Sequence, residues 1–170
     1  MRSTDLLADA FGRIQESVRS TVEGLEAERL NARPETGADP GNSIAWLVWH
    51  LTRIEDDHVA DVGGHDQVWT EQGWADRFGL PLDETDTGFG HTSEQVDAVR
   101  VDGPALLVGY HDAVHARTLD YLRTLDDADL DRVVDERWDP PVTLGVRLVS
   151  VVNDAGQHIG QAGYVRGLLR

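Results

Sequence analysis

The sequence predicts an all-α fold, a four-helix bundle with long connections and one short strand or extended segment, as a single domain over residues 1–170. Three observations carry this expectation. Four stretches of about 20 residues place apolar side chains at steps of three and four, the period of a helix with one buried face. The second, third and last of them start or stop at residues suited to helix ends. No internal repeat or low-complexity tract competes, and 170 residues suffice for one full-sized core.

The first stretch, residues 4–26, sets Leu6, Leu7, Phe11, Ile14, Val18, Val22 and Leu25 on one stripe. A polar run with Pro34 and Pro40 follows and ends at Asn42 and Ser43, either of which can cap the next helix. There Ile44, Leu47, Leu51 and Ile54 repeat at helical spacing until Gly63-Gly64 stops the pattern. Between Gly63 and Gly90 the periodicity is lost, and Trp69, Trp74 and Phe78 line a connection with room for one short helix around residues 70–77. Asp102-Gly103-Pro104 starts the third long helix, because proline at the first helical position gives up only an amide that has no partner there. That helix runs to about Leu125. RVVDERW alternates weakly and then meets Pro140-Pro141, which reads as a short strand or extended piece. Thr143 caps the last helix, whose stripe is Leu144, Leu148, Val151, Ala155, Ala162, Val165 and Leu169.

Composition excludes several functions. Fifteen Lys and Arg against 31 Asp and Glu give a formal charge of -16, with no basic patch of the kind that nucleic acids or anionic lipid surfaces require. The chain has no cysteine, which rules out disulfides, iron–sulfur ligation and a catalytic thiol of its own. Thiol chemistry, if any, must use a borrowed thiol. The N-terminal segment is amphipathic and contains acidic residues, unlike a signal peptide, and no run approaches the roughly 18 apolar residues of a membrane span. The expected location is the cytoplasm.

The chemistry concentrates on the last helix and the second. His158 interrupts the apolar stripe between Ala155 and Ala162, and Asp154 lies one turn earlier on the same face. A carboxylate and an imidazole turned inward need a partner, because an unpaired buried charge is costly. His50, at the edge of the second helix's apolar face, is aimed inward too, so packing of the two faces can bring His50, Asp154 and His158 together. Facing helices build metal sites in bundles this way. Two nitrogens and one oxygen suit a catalytic zinc site and also a non-haem iron site. The residues alone leave a second reading open, in which Asp154 and His158 bond only to each other. His111 and His115 share i,i+4 spacing on the third helix, with no carboxylate on their face and Asp112 and Asp120 pointing elsewhere. His111 is a candidate to line the pocket. His58, beside Asp56 and Asp57, reads as a solvated helix face, and His65 and His91 fall in loops without a pattern. Trp46 flanks His50, and Arg166, two turns past His158, is placed to meet an anionic group. Gly156, Gly160, Gly163 and Gly167 each cost about 1 kcal/mol in a helix relative to alanine, which suggests close helix approach or room for a ligand.

Two segments, SIAWLVWHLTRIEDDHV and NDAGQHIGQAGYVRGLL, resemble the DinB-like superfamily, in particular the branch related to mycothiol-dependent maleylpyruvate isomerase and the mycothiol S-transferases. The resemblance spans nearly the whole chain and implies a four-helix bundle whose metal is held by a His of the second helix and a pair in the last, with His158-Ile159-Gly160-Gln161 matching the H-x-G-Q motif. It therefore implies His50, Asp154 and His158 as ligands of a divalent metal, zinc first, with nickel or iron(II) as alternatives. Arg166, Trp46 and His111 would contact a thiol cosubstrate, mycothiol or a similar one. The chain departs from the pattern at Asp154, where the family more usually has His or Glu, a longer reach. The larger isomerases carry an extra C-terminal domain for which this chain has no room, so maleylpyruvate isomerisation is not expected. The implied activity is thiol transfer to a small electrophile. A water-activating hydrolase and a non-catalytic binding protein are the alternatives. Partners would be those small molecules and, as an open question of assembly, a second copy of the chain, with neither nucleic acid nor membrane.

Overall fold

The computed structural model describes residues 1–35, 37 and 40–169. Its helices are α1 (Ser3–Val22), α2 (Ala27–Asn31), α3 (Ile44–Gly63), α4 (Val68–Glu71), α5 (Trp74–Phe78), α6 (Ser93–Ala98), α7 (Pro104–Thr124) and α8 (Leu144–Leu168). A two-stranded antiparallel sheet, β1 (Val133–Asp135) and β2 (Val142–Thr143), precedes α8. The four long helices form the all-α bundle that the periodicity predicts. α1 and α3 each pack on both α7 and α8. No helix among the described residues is long and apolar enough to cross a membrane.

The ends follow local chemistry. The Ser43 hydroxyl accepts the Trp46 amide to start α3, and Gly64, at φ 66°, ends it in the left-handed region. Thr143 caps α8 through the Val146 amide. Pro104 opens α7 as expected. α1 is shorter than the stripe suggests: the chain turns after Val22, and Leu25 packs into the core from the loop. Leu6 does not belong to the buried stripe, being 57 % exposed. The aromatic connection holds two short helices rather than one, because Gly73 adopts φ 69° between them. α6, unanticipated, is set by a capping box in which Thr92 and Gln95 exchange bonds.

α3 is the central helix, buried on nearly every side, so His50 sits inside the bundle and not at the edge of a stripe. In α8 the core stripe continues through buried Ile159, and His158 lies half-buried beside it, turned toward α3. The late α8 glycines do not mediate close packing: a Cβ at Gly160, Gly163 or Gly167 would meet nothing within 4 Å, and at Gly156 only the Ile14 side chain at 3.9 Å.

Between α3 and α7 the core holds charges. Asp56 accepts the Val68 and Trp69 amides and the Tyr110 hydroxyl, each at 2.8 Å, and lies 3.8 Å from the fully buried Arg53 guanidinium. One helical position away, Glu55 accepts the Thr118 hydroxyl at 2.7 Å and places its other oxygen 3.8 Å from His111 Nε2.

Candidate metal centre

α3 and α8 run antiparallel, and their facing residues pair in two places. At one end His50 meets His158, the rings perpendicular with centroids 4.6 Å apart, and Asp154 stands one turn from His158. One ligand atom from each of His50, Asp154 and His158 lies within 4.8 Å of the others. The predicted triad is thus assembled, and it is the one such group among the described residues.

Hydrogen bonds prepare these side chains for a cation. His50 Nδ1 faces the Thr87 carbonyl at 2.5 Å and His158 Nδ1 faces the Asp154 carbonyl at 2.9 Å. Each imidazole therefore donates from Nδ1 to a backbone acceptor and keeps the Nε2 lone pair free, the arrangement that fixes the tautomer of a metal-ligating histidine. Asp154 Oδ2 is shielded from solvent and accepts no hydrogen bond. It lies 3.2 Å from His158 Nδ1, whose hydrogen goes to the carbonyl instead. An orphaned carboxylate oxygen beside two free imidazole lone pairs is a donor set that fits a divalent ion, with positions left open for a further ligand. Burial lowers the pKa of His50, which favours the neutral, coordinating form. The Asp154 carboxylate raises that of His158. Burial pushes the Asp154 carboxyl up, but the three surrounding histidines outweigh it and hold the acid below its ordinary value.

A polar loop supports His50 from behind. Trp46 stacks on the His50 ring at 4.6 Å and 16°, and its indole N–H donates to His91 Nδ1 at 3.0 Å. His91 Nε2 contacts Asp86 Oδ1 at 2.9 Å, which also accepts the Gly88 amide. Asp86, Thr87, Gly88 and His91 were not singled out by periodicity; the signal for them is the compact run Asp86-Thr87-Gly88-Phe89-Gly90-His91, where two glycines let a loop fold tightly around polar side chains. At Gly88, φ is 91° and an added Cβ would lie 2.7 Å from His50 Nδ1. Gly88→Ala is therefore expected to displace His50 and weaken metal binding by about tenfold or more, as loss of an outer contact to a ligating histidine does. Competition with a chromophoric chelator measures this. Gly90→Ala, at a similar φ of 73° but with no neighbour within 4 Å, is the control and should leave affinity unchanged.

His50 and Asp154 of the triad open on a cleft of about 450 Å³ that includes Ile54, His58, Phe89, Asp135, Trp138, Arg147 and Val151. His58 is not a solvated face residue: it lines this cleft, half-buried, with Nδ1 2.9 Å from Arg147 Nη1. Asp56 beside it is buried in the opposite direction. Two expected cofactor contacts are not in the cleft. The phase of α7 turns His111 into the core against Glu55, a carboxylate supplied by another helix and so invisible in the spacing along α7. Arg166 instead donates to the Ser20 and Thr21 carbonyls at the end of α1, 2.7 Å each. Trp46 alone of the three adjoins the triad. A larger, shallower groove of about 650 Å³ between α1 and α7 carries Glu16 and Glu23 but, among the described residues, no cluster of three metal-ligating groups.

A crystal structure of a conserved protein from Enterococcus faecalis is 35 % identical in sequence, covers 99 % of this chain and 98 % of its own, and superposes with a TM-score of 0.90. Curated proteins give no match. The family profile described as DinB superfamily matches residues 10–162, a span that includes all four long helices in large part and all three members of the triad. With a bundle of that architecture and a His/Asp cluster able to hold a metal, the chain belongs to the DinB superfamily.

Proposed function

We propose that this protein is a metal-dependent transferase that uses a low-molecular-weight thiol, of which mycothiol is the leading candidate, as the nucleophile toward a small electrophile. The observation that carries the reading is the orphaned Asp154 oxygen between two histidines whose Nε2 atoms are free, at the wall of an open cleft. His50, His158 and Asp154 would hold the ion. A bound divalent ion, zinc first by its preference for this donor set, supplies the charge that turns a thiol of ordinary pKa about 8.5 into a thiolate at neutral pH.

The chain's own residues do the rest. Thr87 and the Asp154 carbonyl keep the imidazoles in the coordinating tautomer. Trp46 covers one face of His50 and limits water on that side. Phe89 and Trp138, both largely exposed at the cleft, offer apolar surface to the body of an incoming molecule. The absence of cysteine agrees with a nucleophile supplied from outside.

Asp154→Ala is expected to lose both metal, measured by elemental analysis of the purified protein, and acceleration of thiol conjugation to a panel of electrophiles. Full occupancy and full activity in that variant would overturn the assignment. Turnover of an ester or amide by the metal-loaded wild type with no thiol added would replace transfer with hydrolysis. A loaded wild type that accelerates neither reaction would be a binding protein.

A further inference from the structure

The second place where α3 and α8 pair lies at the other end of the same cleft. Arg147 and His58 face each other there, each two turns from its helix's member of the triad, which places them about 10–12 Å from it along the helix axes. Ile54 and Val151 form the apolar floor between the two ends. Asp135, brought over by β1, accepts from Arg147 at 3.1 Å and from both Nε and Nη2 of Arg137 at 2.9 Å. The two arginines hold the Asp135 carboxyl well below the usual carboxylate range, Arg137 more strongly. One carboxylate thus serves two guanidiniums, so the cations outnumber the carboxylate in contact with them, while Asp61 and Asp154 act on the group from beyond contact distance.

The donors outnumber the acceptors as well. Asp135 is saturated, and His58 Nδ1 accepts from Arg147, so His58 carries its hydrogen on Nε2. Arg137 Nη1 and the remaining N–H groups of Arg147 have no protein acceptor among the bonds described. The Arg147 side chain is only 16 % exposed, whereas Arg137, held by Asp135, is 84 % exposed. Trp138 follows Arg137 directly and lines the same opening.

We propose that Arg147 and Arg137, with His58 beside them, form a subsite for a carboxylate-class anionic group on the small molecule whose reacting atom sits at His50, Asp154 and His158. This names a substrate class, a thiol that bears a carboxylate and so one other than mycothiol, and rests on the metal-site reading. Specificity would come from length as well as charge, because the two ends of the cleft are a fixed two helical turns apart.

The test uses cobalt-loaded full-length protein and a series of ω-mercaptoalkanoates, from mercaptoacetate to mercaptodecanoate, each compared with the ω-mercaptoalcohol of equal length. Calorimetry reads affinity, and the sulfur-to-cobalt charge-transfer band reads whether sulfur reaches the metal. The acids should bind about tenfold more tightly than the alcohols, the worth of a charge-assisted hydrogen bond, with a maximum near mercaptooctanoate. Arg147→Gln should erase the preference of acids over alcohols, and Arg137→Gln should reduce it. If Arg147→Gln fails to fold, Arg137→Gln, on an exposed side chain, decides the matter. Equal binding of acids and alcohols by the wild type, or a preference that survives both substitutions, would overturn the subsite. Alkanoates without sulfur, run in parallel, separate the two readings: a carboxylate preference with no charge-transfer band from any thiol sustains the subsite and removes the thiol from the mechanism.

Discussion

Glu55→Gln is expected to be increasingly more stable than the wild type as pH rises, the advantage growing by about 3 kcal/mol between pH 4.5 and about pH 8. Burial raises the Glu55 pKa from 4.5 to about 7, against the opposing bond from Thr118. A carboxyl whose folded pKa exceeds its unfolded value binds more protons when folded, so stability falls as pH rises through that interval. His111 works in the other direction. Burial lowers its pKa from 6.5 to about 3, so the unfolded chain takes up a proton first and stability falls as pH drops below 6.5. Between pH 4.5 and 6.5 the two slopes oppose each other in the wild type. Both partners are thus neutral inside the bundle at mildly acidic pH, with the protonated Glu55 turned toward His111. Glutamine is the isostere of that protonated acid and retains an acceptor for Thr118. Removing the Glu55 slope leaves that of His111 without this opponent, and urea midpoints at a series of pH values would show the difference between the two proteins. Parallel curves for the two proteins would mean that Glu55 is ionised throughout.

The same pair marks where sequence reading reaches its limit. The helices were legible because each long helix repeats apolar residues at its own period and three of them end on residues with a definite job, Ser43, Gly64, Pro104 and Thr143. The triad was legible for a related reason: Asp154 and His158 share one helical face a turn apart, and His50 stands among the apolar positions of another helix. What escaped were contacts between elements with no shared period. Glu55 reaches His111 across two helices, Arg147 reaches His58 likewise, and the Asp86–His91 loop folds back on His50 from about 40 residues away in sequence. Periodicity tells which face of a helix is buried, and in the second half of α3 only a narrow strip, Ile54, Asp57, His58 and Asp61, stays out of the core. That is why Asp56 and His58 looked solvated.

Asp56→Ala is expected to cost about 3–5 kcal/mol, because it strands a buried cation as well as removing acceptors. Arg53, with no exposed surface, would lose its counter-charge, and the Val68 and Trp69 amides that open α4 would lose their acceptor. For a chain of this size that loss lowers the melting temperature by about 10 °C. The consequence should also reach the metal centre. Arg53 Nε donates to the Asp86 carbonyl at 3.1 Å, and Asp86 holds Gly88 and His91, between which and Thr87 the His50 ring is fixed. A repositioned Arg53 releases the first residue of that loop. Metal affinity of Asp56→Ala, measured well below its melting temperature, should therefore fall, while Glu55→Gln, whose side chain touches Thr118 and His111 on α7 and none of the loop, should bind metal as the wild type does. Asp56→Asn keeps one acceptor oxygen and falls between the two in stability. If Asp56→Ala loses stability and binds metal unchanged, the Arg53 bridge carries no positioning role and the loop is held by its own bonds alone.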